Sequence, residues 1–434
     1  MPTRILIANR GEIAMRIMRA CRTQGMEVVA VFTEVDRNLP HLPFAVRQIK
    51  VKSYLDIDDV VMAGKLTGCD AVHPGYGLLS ENADFARRVT EAGLKFIGPS
   101  AEHIAALGDK VRARAIFKDL GIKPIPGSDG PVQSAVEIEA LAEQIGYPLV
   151  IKAAFGGGGR GIRAVRDNAS LDELLGLSRG EAGLSFGQDD VFVEKMLQGA
   201  RHVEVQILGD GRGHCVHLGS RDCSVQRRYQ KLIEEAPAPL IAPQLLADLA
   251  DSAVTAMAEL GYESAATLEF LYVNEQFYFL EVNTRLQVEH PVTEQISGHD
   301  IASSQLFIAQ NKTLPFEQKD VELHGHALEL RILAEDGEGQ PSPGVIQCLE
   351  LPGGPGVRVD SHLAVGYRVP HQYDSLIAKL VIWATDRDTA IARARQALAE
   401  FKIEGVQTNI ARLLQLISAP DFATVNIHTT WAPK

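Results

Sequence analysis

The chain has 434 residues, too many for one ordinary hydrophobic core, so two or three domains are expected. With 46% hydrophobic and 23% charged residues it is globular rather than disordered, and a net charge of -12 argues against a nucleic-acid surface, which needs a basic field. No apolar run approaches the roughly 20 residues that span a bilayer, and no secretory leader is evident; five scattered cysteines without a C-x-x-C pair read as free thiols, so a cytoplasmic location is expected.

In chain order, Arg4–Ala8 predicts a strand, Asn9-Arg10-Gly11 a turn, and the spacing of Ile13, Ile17 and Cys21 a helix. Val28–Phe32, Asp70–His73 and Lys95–Gly98 read as further strands in alternation with helices, the pattern of a parallel sheet covered on both faces. The G-x-G-x-x-G spacing of a dinucleotide site is absent. Pro124–Pro131 is a Pro/Gly-rich break. After it come a helix over Ser134–Ile145, a strand over Pro148–Ala153, a glycine run, another helix and a strand over Val191–Lys195, a small α+β unit that could act as a lid. From Arg201 onward strands alternate around a long helix at Pro243–Leu260, and the chain closes on a helix at Arg387–Phe401.

Chemistry concentrates in four places. The first is Lys152–Gly161, where four consecutive glycines follow a strand. Glycines let backbone N–H groups close over an anion, with Lys152 and Arg160 supplying charge; a plain surface loop is the alternative, and the Walker A pattern is absent. The second is the strand pair Thr267–Leu271 and Phe277–Arg285. A three-residue loop at Asn274–Gln276 would set Glu269 opposite Glu281, with Asn283 and Arg285 on the same face. Facing carboxylates repel unless a cation lies between them, and hard oxygen donors suit Mg²⁺ or Mn²⁺; a solvated charged face is the competing account. In the third, Asn283–Pro291, Arg285 can grip a planar anion at two points, and Glu289 can serve as a base if its surroundings raise its pKa. His290, before a proline, reads as structural. The fourth is the basic run Arg221–Lys231, in which Cys223 has no assignable base and reads as packing.

In order and spacing these segments, with Ile7–Ala14, His73–Gly77, Leu79–Asn82, Gly108–Lys110 and Thr408-Asn409, resemble biotin carboxylases of the ATP-grasp superfamily over nearly the whole chain. The resemblance implies an α/β and α+β molecule: a pre-ATP-grasp, Rossmann-like domain (1–107), a helical linker (108–123), a lid (124–197) and a C-terminal ATP-grasp and biotin carboxylase domain (198–434). It implies phosphate-contacting Lys110 and Lys152, a closing loop with Gly158 and Gly159, and an adenine hinge of Glu194, Lys195 and Leu197. His202, Gln226 and Tyr229 fall near the nucleotide, the last where the family usually has histidine.

Glu269, Glu281 and Asn283 match the metal site, expected to hold two Mg²⁺ or Mn²⁺. Lys231, Arg285, Gln287 and Val288 match the bicarbonate pocket, Glu289 the general base, and Arg331 the arginine near biotin. The implied reaction is ATP-dependent carboxylation of biotin through carboxyphosphate. The biotin carrier and the carboxyltransferase would be separate chains, as in an acetyl-CoA carboxylase. A homodimer is implied by Arg16 and Arg358, although Thr23 stands where a glutamate partner is customary. Another ATP-grasp ligase, or a catalytically altered subunit, is the rival reading.

Overall fold

Two sheets of opposite character organise the chain, whose computed structural model describes residues 3–155 and 162–431. The first is parallel and built from β1 (Arg4–Ile7), β2 (Glu27–Phe32), β3 (Arg47–Lys50), β4 (Ala71–His73) and β5 (Lys95–Phe96), in the order β3-β2-β1-β4-β5. Its central strands are buried on both faces because helices cover both, which is why Ile5, Leu6 and Ile7 are apolar without alternation. One of those helices is α1 (Gly11–Thr23), with Ile13, Ile17 and Cys21 buried as their spacing predicts. Strand β3 was not expected: Arg47, Gln48 and Lys50 lie at an exposed edge, so the segment carries no apolar pattern.

Two of the quoted motifs meet at the end of this sheet. Asn9 donates from Nδ2 to the carbonyls of Pro74 (2.6 Å) and Tyr76 (2.8 Å), tying the turn after β1 to the turn after β4. Gly75 is required there: its φ is +67°, and a Cβ would stand 2.9 Å from the Asn9 amide nitrogen.

The second unit is small. Strands β6 (Leu149–Ala153), β7 (Arg163–Val165) and β8 (Val191–Lys195) form an antiparallel sheet in the order β7-β6-β8. Helices at Ala135–Ile145, capped by Ser134, and Leu171–Phe186 accompany it. It has its own core of Ile138, Leu149, Ile151, Val165, Leu175 and Val193.

The largest sheet is antiparallel and eight-stranded. It comprises β9 (Arg201–Asp210), β10 (Cys215–Arg227), β11 (Gln230–Ala236), β12 (Glu263–Val273), β13 (Gln276–Asn283), β14 (His326–Leu333), β15 (Val357–Ser361) and β16 (Leu376–Ala384). The order is β13-β12-β9-β10-β11-β14-β16-β15. The expected long helix spans Pro243–Glu259, and a shorter one, His290–Ser297, lies on β14 and β16 through Val292 and Ile296. The first unit does not pack alone: Ile5, Ile7, Ile13 and Ile17 share one continuous core with Leu328, Leu330 and Leu380 of the large sheet.

Candidate functional site

A cavity of about 600 Å³ opens between the small sheet, the large sheet and the end of the parallel sheet. Most of the expected site residues line it: Lys110, Lys152, Lys195, Leu197, His202, Gln226, Tyr229 and Lys231 on one side, then Glu269, Glu281, Asn283, Arg285, Gln287, Val288 and Arg331. Glu194 and Glu289 are fully buried in its walls. Gly158 and Gly159 lie outside the described residues.

The hairpin that carries the carboxylates reaches its register by a route the sequence reading missed. The turn holds two residues, Asn274 and Glu275, both left-handed (φ +50° and +57°), and not three. That turn pairs Phe270 with Phe279; a bulge at Leu280 then shifts the ladder by one residue, so Glu269 does face Glu281 and Thr267 faces Asn283. No cation needs to sit between the two, because each has its own. Lys110, at the start of the helix Lys110–Asp119, pairs with Glu281. Glu269 receives Lys231 Nζ at 3.0 Å and His202 Nε2 at 3.0 Å. Burial alone would raise the Glu269 carboxyl, but Lys231 and His202 outweigh it and hold it far below the usual range. The same Glu269 lifts the His202 imidazole against its burial.

Hard oxygens from Glu269 and Glu281, beside the Asn283 carboxamide, fit a divalent ion that uses one or two carboxylates and keeps its other positions for water and phosphate oxygens. Glu281 is the more open of the two, with 27% of its side chain exposed. Two tighter groups of potential ligands, His202/Glu204/Glu269 and Glu204/Cys223/Glu289, lie alongside. The Lys231 ammonium already sits among their carboxylates, at 2.7 Å from Glu204, 3.0 Å from Glu269 and 2.5 Å from Glu289. They form an ammonium cradle.

Glu204 was missed from the sequence because it is one of several polar residues that alternate along its strand, with no local pattern to single it out. It pairs with Arg221, which is buried and also donates to Gln206 (2.8 Å), Thr293 (2.8 Å) and Thr267 (3.1 Å). The basic run therefore contains a structural arginine, Arg221, and a cavity lysine, Lys231. Cys223 is fully buried and its thiol is pushed well above its ordinary pKa by burial and by Glu204, which suits packing and not nucleophilic attack.

Glu289 is where expectation and structure differ most. Its environment lowers its pKa: burial acts upward, but Lys231, Arg331 and Arg221 together hold the carboxyl well below the usual range. Lys231 donates to one oxygen and Arg331 Nη2 to the other, at 3.0 Å. Glu289 is thus ionised at neutral pH and stands behind the two cations that face the cavity. His290 is structural as expected, buried, with Nδ1 donating to the Gln287 carbonyl at 2.7 Å.

Arg285 is held on three sides: Nε donates to Glu81 (2.9 Å), Nη1 to Gln287 (2.8 Å) and Nη2 to Asn283 (2.9 Å). A planar anion must displace one of these to be gripped at two points. Glu81, which lies in the Leu79–Asn82 motif but had no role assigned to it, reaches across from the N-terminal unit. On the opposite wall Glu194 faces away from the hinge and pairs with Arg114 and with Lys152 Nζ (2.6 Å). Lys195 turns its ammonium onto the carbonyls of Gly146 (3.1 Å) and Tyr147 (2.7 Å), so at this hinge the main chain and Leu197 meet the cavity. Arg16 and Arg358, expected at a subunit contact, converge on Glu294 of their own chain, at 2.7 and 2.8 Å.

Comparison with known proteins gives a consistent result. Residues 1–104 match the family model for the biotin carboxylase N-terminal domain, 109–317 that for the carbamoyl-phosphate synthase L chain ATP-binding domain, and 329–434 that for the biotin carboxylase C-terminal domain. The chain is 49% identical to a biotin carboxylase of Pseudomonas aeruginosa, over 98% of this chain and 97% of that protein. It is similar to a biotin carboxylase–beta-gamma-ATP complex from Campylobacter jejuni, with a TM-score of 0.97 and 42% identity over 99% of this chain and 98% of that one. A second solved structure is the biotin carboxylase domain dimer of Hydrogenobacter thermophilus 2-oxoglutarate carboxylase, with MgADP, ADP and bicarbonate. It has a TM-score of 0.97 and 41% identity, over 99% of this chain and 96% of that one.

Proposed function

The chain belongs to the biotin carboxylase family, and on that premise we propose how its own residues carry out ATP-dependent carboxylation of biotin. A biotin-bearing carrier would present the biotin, and a carboxyltransferase would use the carboxybiotin formed. The observation that carries the reading is the convergence of Lys231, Arg331 and Glu289 behind one cavity that also holds Glu269, Glu281 and Asn283.

ATP lies between the small sheet and the large one, its adenine against the hinge at Lys195–Leu197 and its phosphates toward Lys110 and Lys152. Glu269, Glu281 and Asn283 would hold Mg²⁺ or Mn²⁺. Bound there, the metal supplies charge neutralisation for the phosphate oxygens. Bicarbonate takes the place beside Arg285, Gln287 and the Val288 backbone and displaces part of the Glu81 contact. An ionised Glu289 is already in the form a base needs, but it is a weak one. It accepts the bicarbonate proton only as the bicarbonate oxygen bonds to the γ-phosphorus. Lys231 and Arg331 then move their charge from Glu289 toward the new carboxyphosphate and ADP. Carboxyphosphate breaks down to CO₂ and phosphate, the phosphate takes the biotin N1′ proton, and the biotin nitrogen captures CO₂, with Arg285 beside the biotin anion.

A homodimer is part of the proposal, with Arg16 and Arg358 near its contact. The test is ADP release measured with and without bicarbonate and free biotin. Release that needs bicarbonate and rises with biotin supports this function, and release driven by a different carboxylate in place of bicarbonate favours another ATP-grasp ligase.

A further inference from the structure

Behind the cavity, two more carboxyl groups occupy the sheet with no role in the scheme above. Glu234 on β11 and Glu329 on β14 are direct cross-strand partners, so both side chains lie on one face with their Cβ atoms about 5 Å apart. Val292 and Ile296 of the helix that follows Glu289 cover that face, and both glutamates are fully buried. Glu234 Oε1 accepts from Arg331 Nε at 2.6 Å, and the same guanidinium donates from Nη2 to Glu289 Oε2 at 3.0 Å. Three carboxyl oxygens are left over, Glu234 Oε2 and both oxygens of Glu329, buried and without a hydrogen-bond partner. Unpartnered buried anions are costly, and two carboxylates side by side cannot both ionise.

We propose that Glu234 and Glu329 form a buried carboxyl pair that shares a proton and, through Arg331, sets the position and basicity of Glu289. This rests on Glu289 being the base. With Glu234 protonated, Arg331 gives its full charge to Glu289 and weakens it as a base. With Glu234 ionised, Arg331 is drawn back onto Glu234, and Glu289 takes a proton more readily. The groups facing the pair are Arg331, Lys231, Glu289 and, from β16, Lys379, with His290 on the covering helix already bound to a carbonyl. Burial raises both carboxyls, Glu234 to about 7 and Glu329 well above the usual range, with Arg331 and Lys379 respectively opposing it. Glu234 is therefore poised to change charge near neutral pH, and Glu329 keeps the proton.

The experiment is the pH profile of kcat and of kcat/KM for bicarbonate in the full chain, with the concentration of the bicarbonate ion itself varied over the same range at every pH, for wild type, Glu234→Gln, Glu329→Gln and Glu289→Gln. Wild type is expected to show a limb rising with pH near neutrality. Glu329→Gln removes the neutral carboxyl that holds the shared proton against ionised Glu234, so the limb should move to higher pH by on the order of one unit. Glu234→Gln should erase the limb and lower kcat about tenfold at alkaline pH, leaving KM for ATP unchanged. A merely structural role would scale the rate at every pH without moving the midpoint. If Glu234→Gln does not fold, the direction of the Glu329→Gln shift decides alone. An inactive Glu289→Gln beside pair variants that keep the wild-type midpoint overturns this inference only; wild-type turnover in Glu289→Gln overturns the base assignment and the inference together.

Discussion

Replacing Glu289 by glutamine keeps the shape of the side chain and removes its charge. In the wild type Lys231 and Arg331 each donate to one Glu289 oxygen, at 2.5 and 3.0 Å. An amide has one acceptor oxygen, so one of those cations loses a charge-assisted hydrogen bond worth about 1.5–3 kcal/mol. Part of this is recovered, because Glu204 and Glu269 still face Lys231 and Glu234 still faces Arg331. A modest fall in Tm is the structural cost. The catalytic cost is larger: loss of a general base lowers kcat by roughly a hundredfold or more, about 2.7 kcal/mol of activation free energy. The adenine and its hinge lie at the other end of the cavity from Glu289, so KM for ATP should stay near the wild-type value. Bicarbonate-dependent ADP release in a coupled assay, with Tm recorded in parallel, reads all three quantities. Wild-type turnover, or a loss confined to KM for ATP with kcat intact, refutes the assignment.

Glu12, buried beside Lys379 (3.3 Å), is raised by burial to about 7. Its folded pKa lies above its unfolded one, so its contribution to stability is complete below the ordinary carboxylate range and is lost as pH rises through about 7. That loss is roughly 3 kcal/mol, and urea midpoints for Glu12→Gln should fall less between pH 5 and 8 than those of wild type; parallel curves would contradict it. Tyr229 sits at a hairpin tip with φ +66°, 55% exposed and lining the cavity. Tyr229→His is expected to change KM for ATP about three- to tenfold and to leave KM for bicarbonate alone, which initial-rate kinetics will check. Sedimentation at micromolar concentration is expected to show a homodimer, since the rim ion pair lost at Thr23 costs only ~0–1 kcal/mol; monomer alone would count against it.

The central strands of the parallel sheet and the lid strands β6 and β8 were legible because they are largely apolar and sharply punctuated, as in Ile5–Ile7 followed by Asn9 and Gly11; the short lid strand β7, with no apolar run, was not. Edge strand β3 was not, since an exposed edge needs no apolar pattern. The opposition of Glu269 and Glu281 was read correctly for the wrong reason: no sequence signal announces a bulge at Leu280 that compensates for a shorter turn. What escaped altogether was pairing at a distance. Glu81, Arg114, Glu204 and Glu234 orient Arg285, Glu194, Lys231 and Arg331, yet they come from segments far from those residues in the chain. The same cause inverted the expectation for Glu289, whose pKa is set by cations from three other strands.

The most direct test of the central claim follows the oxygen atoms. If bicarbonate attacks the γ-phosphorus, one of its oxygens stays on phosphorus when carboxyphosphate loses CO₂. Turnover with ¹⁸O-labelled bicarbonate, ATP, Mg²⁺ and biotin should therefore place one labelled oxygen in each phosphate released, as read by mass spectrometry or by the ³¹P isotope shift. Unlabelled phosphate, formed at the same rate and with its oxygen drawn from water, would show that bicarbonate is not the nucleophile and would contradict the account.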